Sequence, residues 1–250
     1  MTYRIDLHVH TDASLDGCSS LPALAAAAKA AGLDAMAVTD HNLCTPVPEK
    51  RNGVLLIPGC EVSTRAGHIL GLFLEGPLEL DALRRDGLPA AQAAIDEIHR
   101  RGGVAVLAHP YQSEKAAPER FPFRPDAVEA ANARACFKVA DANEKAAALA
   151  ECWSLPATGG SDAHSKHEVG NARTEVECAE LTLPALKAAI LAGNCTPVLA
   201  KNTSRLRKGL SQFAQRRRKG GLKNLAVGAA YVAYCGMLDI LKKQEDKPCH

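Results

Sequence analysis

Residues 3–17 read Tyr-Arg-Ile-Asp6-Leu-His8-Val-His10-Thr-Asp12-Ala-Ser14-Leu-Asp16-Gly17. Tyr3–Val9 reads as a strand that runs directly into polar side chains. Residues two apart on a strand share a face, so His8 and His10 project together from its end. Paired imidazoles serve little packing purpose, whereas neutral imidazole is a good ligand for Zn, Mn or Fe.

The same ending recurs outward along the chain. Ala35–Thr39 breaks into Asp40-His41-Asn42, and Val54–Pro58 into Gly59-Cys60-Glu61. His68 opens His68–Leu74, Gly103–Ala108 ends in His109-Pro110, and Ala157–Gly160 ends in Ser161-Asp162-Ala163-His164. With Ala127–Ala131 these make seven expected strands. Between them, Pro22–Ala31, Pro89–Arg101, Ala140–Trp153 and Leu183–Ala192 read as helices; Ser20 is placed to cap the first and Gly32 to stop it. Alternating strands and helices predict an α/β fold with a parallel sheet or barrel. Barrel enzymes gather their reactive residues at the carboxyl ends of the strands, and most of these motifs fall there.

DLHVHTDASLDG, TDHN, PGCE, GHILGL, AHP and GGSDAH resemble, in order and spacing, the motifs of the polymerase and histidinol phosphatase (PHP) superfamily. The resemblance spans roughly residues 3–198. It implies a distorted seven-stranded (β/α)7 barrel holding two or three divalent metal ions, Mn, Fe or Zn. The metal ligands it implies are His8, His10, Asp16, His41, Glu61, His68, His109, Asp162 and His164. Of these, His8, His10, Glu61, His109, Asp162 and His164 are the catalytic set. Asn171-Ala-Arg173-Thr and Leu181–Pro197 resemble the family's closing strand and helix.

The implied activity is hydrolysis of a phosphate mono- or diester, on a nucleotide or a small phosphorylated metabolite. A bridging carboxylate such as Glu61 can hold two cations roughly 3.5–4 Å apart, where they activate water and neutralise phosphate oxygens. Ser14, Cys60 and Ser161 then have no nucleophilic task. Asp6 and Asp40 precede ligands and are placed to orient imidazoles. Arg173, Lys166, Arg65 and His167 adjoin motif residues and are candidate phosphate contacts, Arg173 first because guanidinium grips phosphate bidentately. His99, near a helix C-terminus, and the terminal His250 need no function. An amidohydrolase-like hydrolase and a non-catalytic, metal-stabilised recruitment domain are the alternatives.

Charge divides the chain. Residues 1–200 carry 18 Lys/Arg and 25 Asp/Glu, while residues 201–250 carry 12 and 3. We therefore expect a barrel over residues 1–198 and a basic helical extension over 199–250. Within Lys201–Lys223, Leu206, Leu210 and Phe213 form an apolar stripe among cations, interrupted at Gly220-Gly221. Leu225–Leu238 is apolar but shorter than the roughly 18 residues of a membrane span, so a packed or amphipathic helix is expected. The stripe suggests an anionic membrane surface as partner, with nucleic acid second for want of interleaved aromatics. The nine scattered cysteines form no C-x-x-C pair, which suits reduced thiols and a cytoplasmic setting, with peripheral membrane contact as an option.

Overall fold

The computed structural model describes residues 1–84 and 87–245; the terminal His250 lies outside them. In chain order, β1 (Thr2–Asp6), α1 (Leu21–Ala30), β2 (Ala35–Val38), β3 (Lys50–Arg51), β4 (Val54–Thr64) and β5 (Gly67–Leu72) come first. Next are α2 (Leu80–Leu83), α3 (Ala91–Arg100), β6 (Val104–Ala108), β7 (Ala127–Asn132), α4 (Ala142–Cys152) and β8 (Ala157–Gly160). Last come β9 (Ala172–Glu177), α5 (Leu183–Leu191), β10 (Cys195–Leu199), α6 (Arg205–Lys219) and α7 (Leu222–Glu245).

The strands form one sheet in the order β10-β9-β1-β2-β4-β5-β6-β7-β8, with β3 beside β4. All seven expected strands are present, β9 is the closing strand that Asn171–Thr174 resembles, and β3 and β10 are additional. The sheet curls into a barrel. Beyond β1 and β8, Val9 pairs with Ala163, His10 N–H donating to the Ala163 carbonyl at 2.8 Å. Lower down, Gly159 N–H donates to Thr174 Oγ1 at 2.8 Å, and that hydroxyl donates to the Gly159 carbonyl at 2.8 Å.

The sheet is not parallel throughout. β5 is antiparallel to both β4 and β6. Only Arg65 and Ala66 separate β4 from β5, too few for a crossover, so a hairpin results. The hairpin explains His68. It stands at the start of β5, yet the reversal brings that start to the end of β4, opposite Ser63. β4 also runs further than expected, carrying Glu61 inside the strand.

Alternation builds two layers. Ile5, Ala37, Ile57, Leu70 and Val106 belong to one buried cluster, which α5 joins through Leu186 and Ile190. Met36, Val38 and Leu56 pack with Leu24 and Ala28 of α1, while Ile69, Leu107 and Val128 pack with Ile95 and Ile98 of α3. With both faces covered, the strands read as apolar runs and polar residues are left for their ends.

The basic extension folds as an antiparallel helix pair. α6 stops where expected, at Gly220 and Gly221, both with φ near +80° (73° and 86°). Asp239 of α7 accepts from Arg205 N and Leu206 N, 3.0 and 2.9 Å, capping the start of α6. A Cβ on Gly228 would stand 2.8 Å from the Phe213 ring, and one on Gly209 would meet Cys235 at 3.1 Å. Phe213 therefore faces α7 instead of standing free as a lipid-insertion face. α7 is also longer than expected. Leu222–Leu241 is long and apolar enough, by length and composition alone, to cross a membrane. Its outward side exposes Val227, Tyr234, Met237 and Ile240.

Candidate metal centre

The residues at the strand ends converge around Glu61, which is fully buried. Its Oε1 lies 2.6 Å from His68 Nδ1 and 3.0 Å from His109 Nε2. Its Oε2 lies 2.7 Å from His41 Nδ1, 3.4 Å from His10 Nε2 and 3.5 Å from His8 Nε2. Despite these neighbours Oε2 makes no hydrogen bond. His8 Nε2 and His10 Nε2 face each other at 3.1 Å. Asp162 Oδ1 stands 3.4 Å from His10 Nε2 and 3.7 Å from His8 Nε2. Asp16 Oδ2 stands 3.2 Å from His164 Nε2 and 3.5 Å from His41 Nε2, and its buried Oδ1 has no hydrogen-bond partner.

Lone pairs turned toward one another, with buried carboxylate oxygens unbonded, are the donor set a divalent cation fits. Four overlapping triads bring their donor atoms within 4.8 Å: His10/His41/His164, His8/His10/Asp162, Glu61/His68/His109 and His8/His109/Glu129. Every ligand expected from the sequence stands in this cluster.

Local backbone geometry holds these ends. His109 and Asp162 have φ of +27° and +53°, and Asn42, just after His41, has +53°. Non-glycine residues adopt such values at a cost of roughly 1–3 kcal/mol each, and they concentrate at functional sites. At Gly160 a Cβ would come within 2.5 Å of the His8 Cβ and 2.7 Å of Glu129 Oε1, so only glycine lets strands β8 and β1 close here.

The electrostatics are mutual. Burial alone would raise Glu61, but His68, His41 and His8 outweigh it and hold the carboxyl well below its usual range. Asp162 is likewise lowered, burial being overcome by His8, His10 and His164. Burial works against the charged form of His41, yet Glu61 and Asp16 lift it to about 11. His10 goes the other way, to about 3, through burial and then the neighbouring His41 and His164. The acids stay ionised, and the protons that Glu61, Asp16, Glu129 and Asp162 draw onto His41, His8 and His109 occupy lone pairs for which a divalent cation would compete.

Glu129, missed from the sequence, is the centre's main support. It is buried on β7; Oε1 lies 3.0 Å from His8 Nδ1, and Oε2 accepts from His109 N at 2.9 Å. A carboxylate inside the apolar run Ala127–Ala131 was the available signal, since buried acids are rare without a partner. Among the described residues neither Asp6 nor Asp40 hydrogen-bonds an imidazole ring directly: Asp6 accepts from His8 N at 3.3 Å, and Asp40 reaches His10 only through Ser14, whose Oγ lies 3.4 Å from His10 Nδ1. Asp6 accepts from Ser161 N, Ser161 Oγ and Gly170 N, tying β1 to the loop after β8. Burial raises its pKa to about 6 against those bonds. Asp40 accepts from Thr11, Ser14 and Thr45, and Ser14 Oγ in turn accepts from His41 N. His99 pairs with Asp126 at 2.8 Å, away from the cluster.

None of the four candidate phosphate contacts lines the cavity in front of the cluster. Arg173 alternates with inward-facing Thr174 on β9, and its guanidinium is engaged by Glu175 at 2.7 Å. Arg65 sits in the β4–β5 turn, its Nε donating to the Leu88 carbonyl. Lys166 and His167 line a separate cavity of about 350 Å³ beside α6. The cations that do line the front cavity are Arg134, Lys138 and Lys208. Arg134 is buried; its Nη1 lies 2.8 Å from His164 Nδ1, Nη2 donates to Ser211 Oγ at 2.9 Å, and Nε is 3.1 Å from Glu168.

Fold and site thus define an α/β barrel protein with a histidine–carboxylate metal site at its mouth. A PHP domain family matches residues 6–83, and a PHP-associated family matches residues 140–195. An uncharacterized protein of Methanocaldococcus jannaschii is 33% identical over 147 residues, 52% of this chain and 82% of that protein. The chain belongs to the PHP family. The fold is similar to a two-domain protein from Bacteroides vulgatus containing a predicted PHP-like metal-dependent phosphoesterase (TM-score 0.60, 21% identity, 84% of this chain and 69% of that one). It is also similar to the lesion-specific endonuclease Q of Pyrococcus furiosus (TM-score 0.55, 21% identity, 79% and 58%).

Proposed function

We propose that this chain is a metal-dependent phosphoesterase that hydrolyses a phosphate ester at the barrel mouth. Its ligands are His8, His10, Asp16, His41, Glu61, His68, His109, Asp162 and His164, serving two or three divalent ions of Mn, Fe or Zn. The observation that carries the reading is Glu61, whose two oxygens face different sets of imidazoles and so can join two cation positions. When bound, divalent cations supply a water of lowered pKa and neutralise charge developing on phosphoryl oxygens. The chain's own part is placement. Asp162 adds negative charge beside His10 and Asp16 beside His164, and Glu129 fixes the His8 ring through Nδ1, leaving Nε2 for the centre. No serine or cysteine is assigned as nucleophile. Ser14 and Ser161 have their hydroxyls bonded to Asp40 and Asp6, and the hydrogen bond with the neighbouring Cys44, followed by burial, raises the Cys60 thiol.

Elemental analysis of protein purified without chelator, with phosphate release from mono- and diesters in added Mn or Zn, tests this. Two or more metals per chain with metal-dependent release is expected. Bound metal without release from any ester would favour amide hydrolysis or recruitment. No metal after reloading would overturn the site.

A further inference from the structure

The α6–α7 pair lies outside both family matches, which end at residue 195. It nevertheless reaches the metal cluster. The front cavity, about 650 Å³, is walled on one side by Glu61, Asp162 and His164 and on the other by Lys208, Gln212, Gln215 and Tyr231. The pair is tied to the barrel at both ends of α6. Thr203 N donates to the Ala133 carbonyl at 2.8 Å, and Asn171 Nδ2 to Thr203 Oγ1 at 3.1 Å. At the far end, Arg218 donates to the carbonyls of Ser14 and Gly17, in the loop that carries Asp16. Midway, Ser211 takes the bond from Arg134.

Lys208 is the exceptional residue on this wall. It is half-buried, it forms no ion pair among the described residues, and its Nζ stands 4.3 Å over the Phe137 ring. Its cationic neighbours are Arg134, already engaged by Glu168, and Lys138. Burial, followed by those two charges, pushes the Lys208 amine down to about 8. A desolvated ammonium next to other cations is unfavourable on its own and is relieved by an anion. The opposite wall is anionic and calls for metal cations, so the space between is suited to a group that meets cations on both sides.

We propose that the C-terminal helix pair is the substrate-recognition wall of this site, with Lys208 as the contact for the phosphoryl group of a small phosphorylated molecule. This deepens the phosphoesterase reading and rests on it. The small-molecule class follows from the enclosure: a cavity of about 650 Å³, lined on one side by residues of α6 and α7, falls in the range for small ligands.

The experiment compares full-length wild type, Lys208→Met and Lys208→Arg, all loaded with Mn. It measures p-nitrophenyl phosphate kinetics and, by calorimetry, binding of inorganic phosphate. In Lys208→Met we expect KM and the phosphate Kd to rise tenfold or more together, with kcat within about threefold, as befits loss of a charge-assisted contact. Lys208→Arg should recover most of both, and metal content should match wild type in all three. Unchanged KM and Kd in Lys208→Met would overturn the assignment, as would cleavage of a 20-base-pair duplex by wild type as efficient as that of the small ester. The two readings fail separately. Wild type that cleaves no ester refutes the phosphoesterase, whereas phosphate binding that weakens only in Lys208→Met still locates an anion site on α6.

Discussion

The rim of the barrel and the helix pair over it hold side chains in place by different means. At the rim, the functional groups sit at or near strand ends or, like Glu61 and His68, in the paired β4–β5 hairpin, and their positions follow from strand register and a few constrained backbone angles at Asn42, His109 and Asp162. The groups then lock one another, Glu61 alone lying within 3.5 Å of five imidazoles. The helix pair has no such mutual lock. α6 and α7 meet by close approach at Gly209 and Gly228, and a few hydrogen bonds from Thr203, Ser211 and Arg218 attach them to the barrel. A rim so built is expected to lose metal affinity when any one of its candidate ligands is removed, whereas a change in the attached wall is expected to alter what the pocket accepts without altering metal content.

The strongest way to break this contrast is to remove a rim ligand. His10→Ala or Asp162→Ala should lower metal-dependent turnover by more than about 100-fold, beyond the 10–100-fold typical of groups that merely support ligands. Metal content should fall with it, read by elemental analysis on the same sample. Full activity in either variant would refute the centre. Glu129→Gln is the next step down. The amide keeps the shape but not the charge that orients the His8 ring, and metal affinity should weaken by about 10–100-fold. A chelator titration followed by activity measures it, and wild-type affinity would mean that the strand end alone fixes His8.

On the wall, Gly228→Val drives a Cβ against the Phe213 ring, 2.8 Å away, and prises α6 from α7. Overpacking of this kind costs about 1–3 kcal/mol, visible as a lower Tm. KM should rise while metal content stays at the wild-type level. Metal lost in proportion to stability would show that rim and wall are one cooperative structure.

The rim is legible because its candidate ligands are local. H-x-H, T-D-H-N and G-S-D-A-H each place a donor at or just beyond a strand end, and strand-end placement is a short-range property. Even His68, whose hairpin reversal was not foreseen, was marked by the glycine-flanked run it opens. What escaped was long-range. Glu129 supports His8 across 121 residues, and Ser211 meets Arg134 across 77. Lys208 looked like one cation among the many in a basic helix; only the docking of α6 separates it from the solvated ones. Asp239, one of three acids in residues 201–250, is visible in the sequence, but its partner at the start of α6 lies 34 residues away. Charge on a helix shows where it is attractive and not which single residue the fold turns inward.

Arg173 makes the same point with the smallest expected effect. Adjacent to motif residues and ideal in chemistry for phosphate, it ranks first on sequence grounds. Thr174 bonds Gly159 at the barrel seam, so strand alternation turns Arg173 outward to Glu175. A partly exposed pair of that kind is worth at most about 1 kcal/mol. Arg173→Ala should therefore leave KM, phosphate affinity and metal content unchanged, with only a slight drop in Tm. A KM raised severalfold with metal intact would mean that β9 contributes to substrate binding after all, and that recognition is shared between barrel and helix pair.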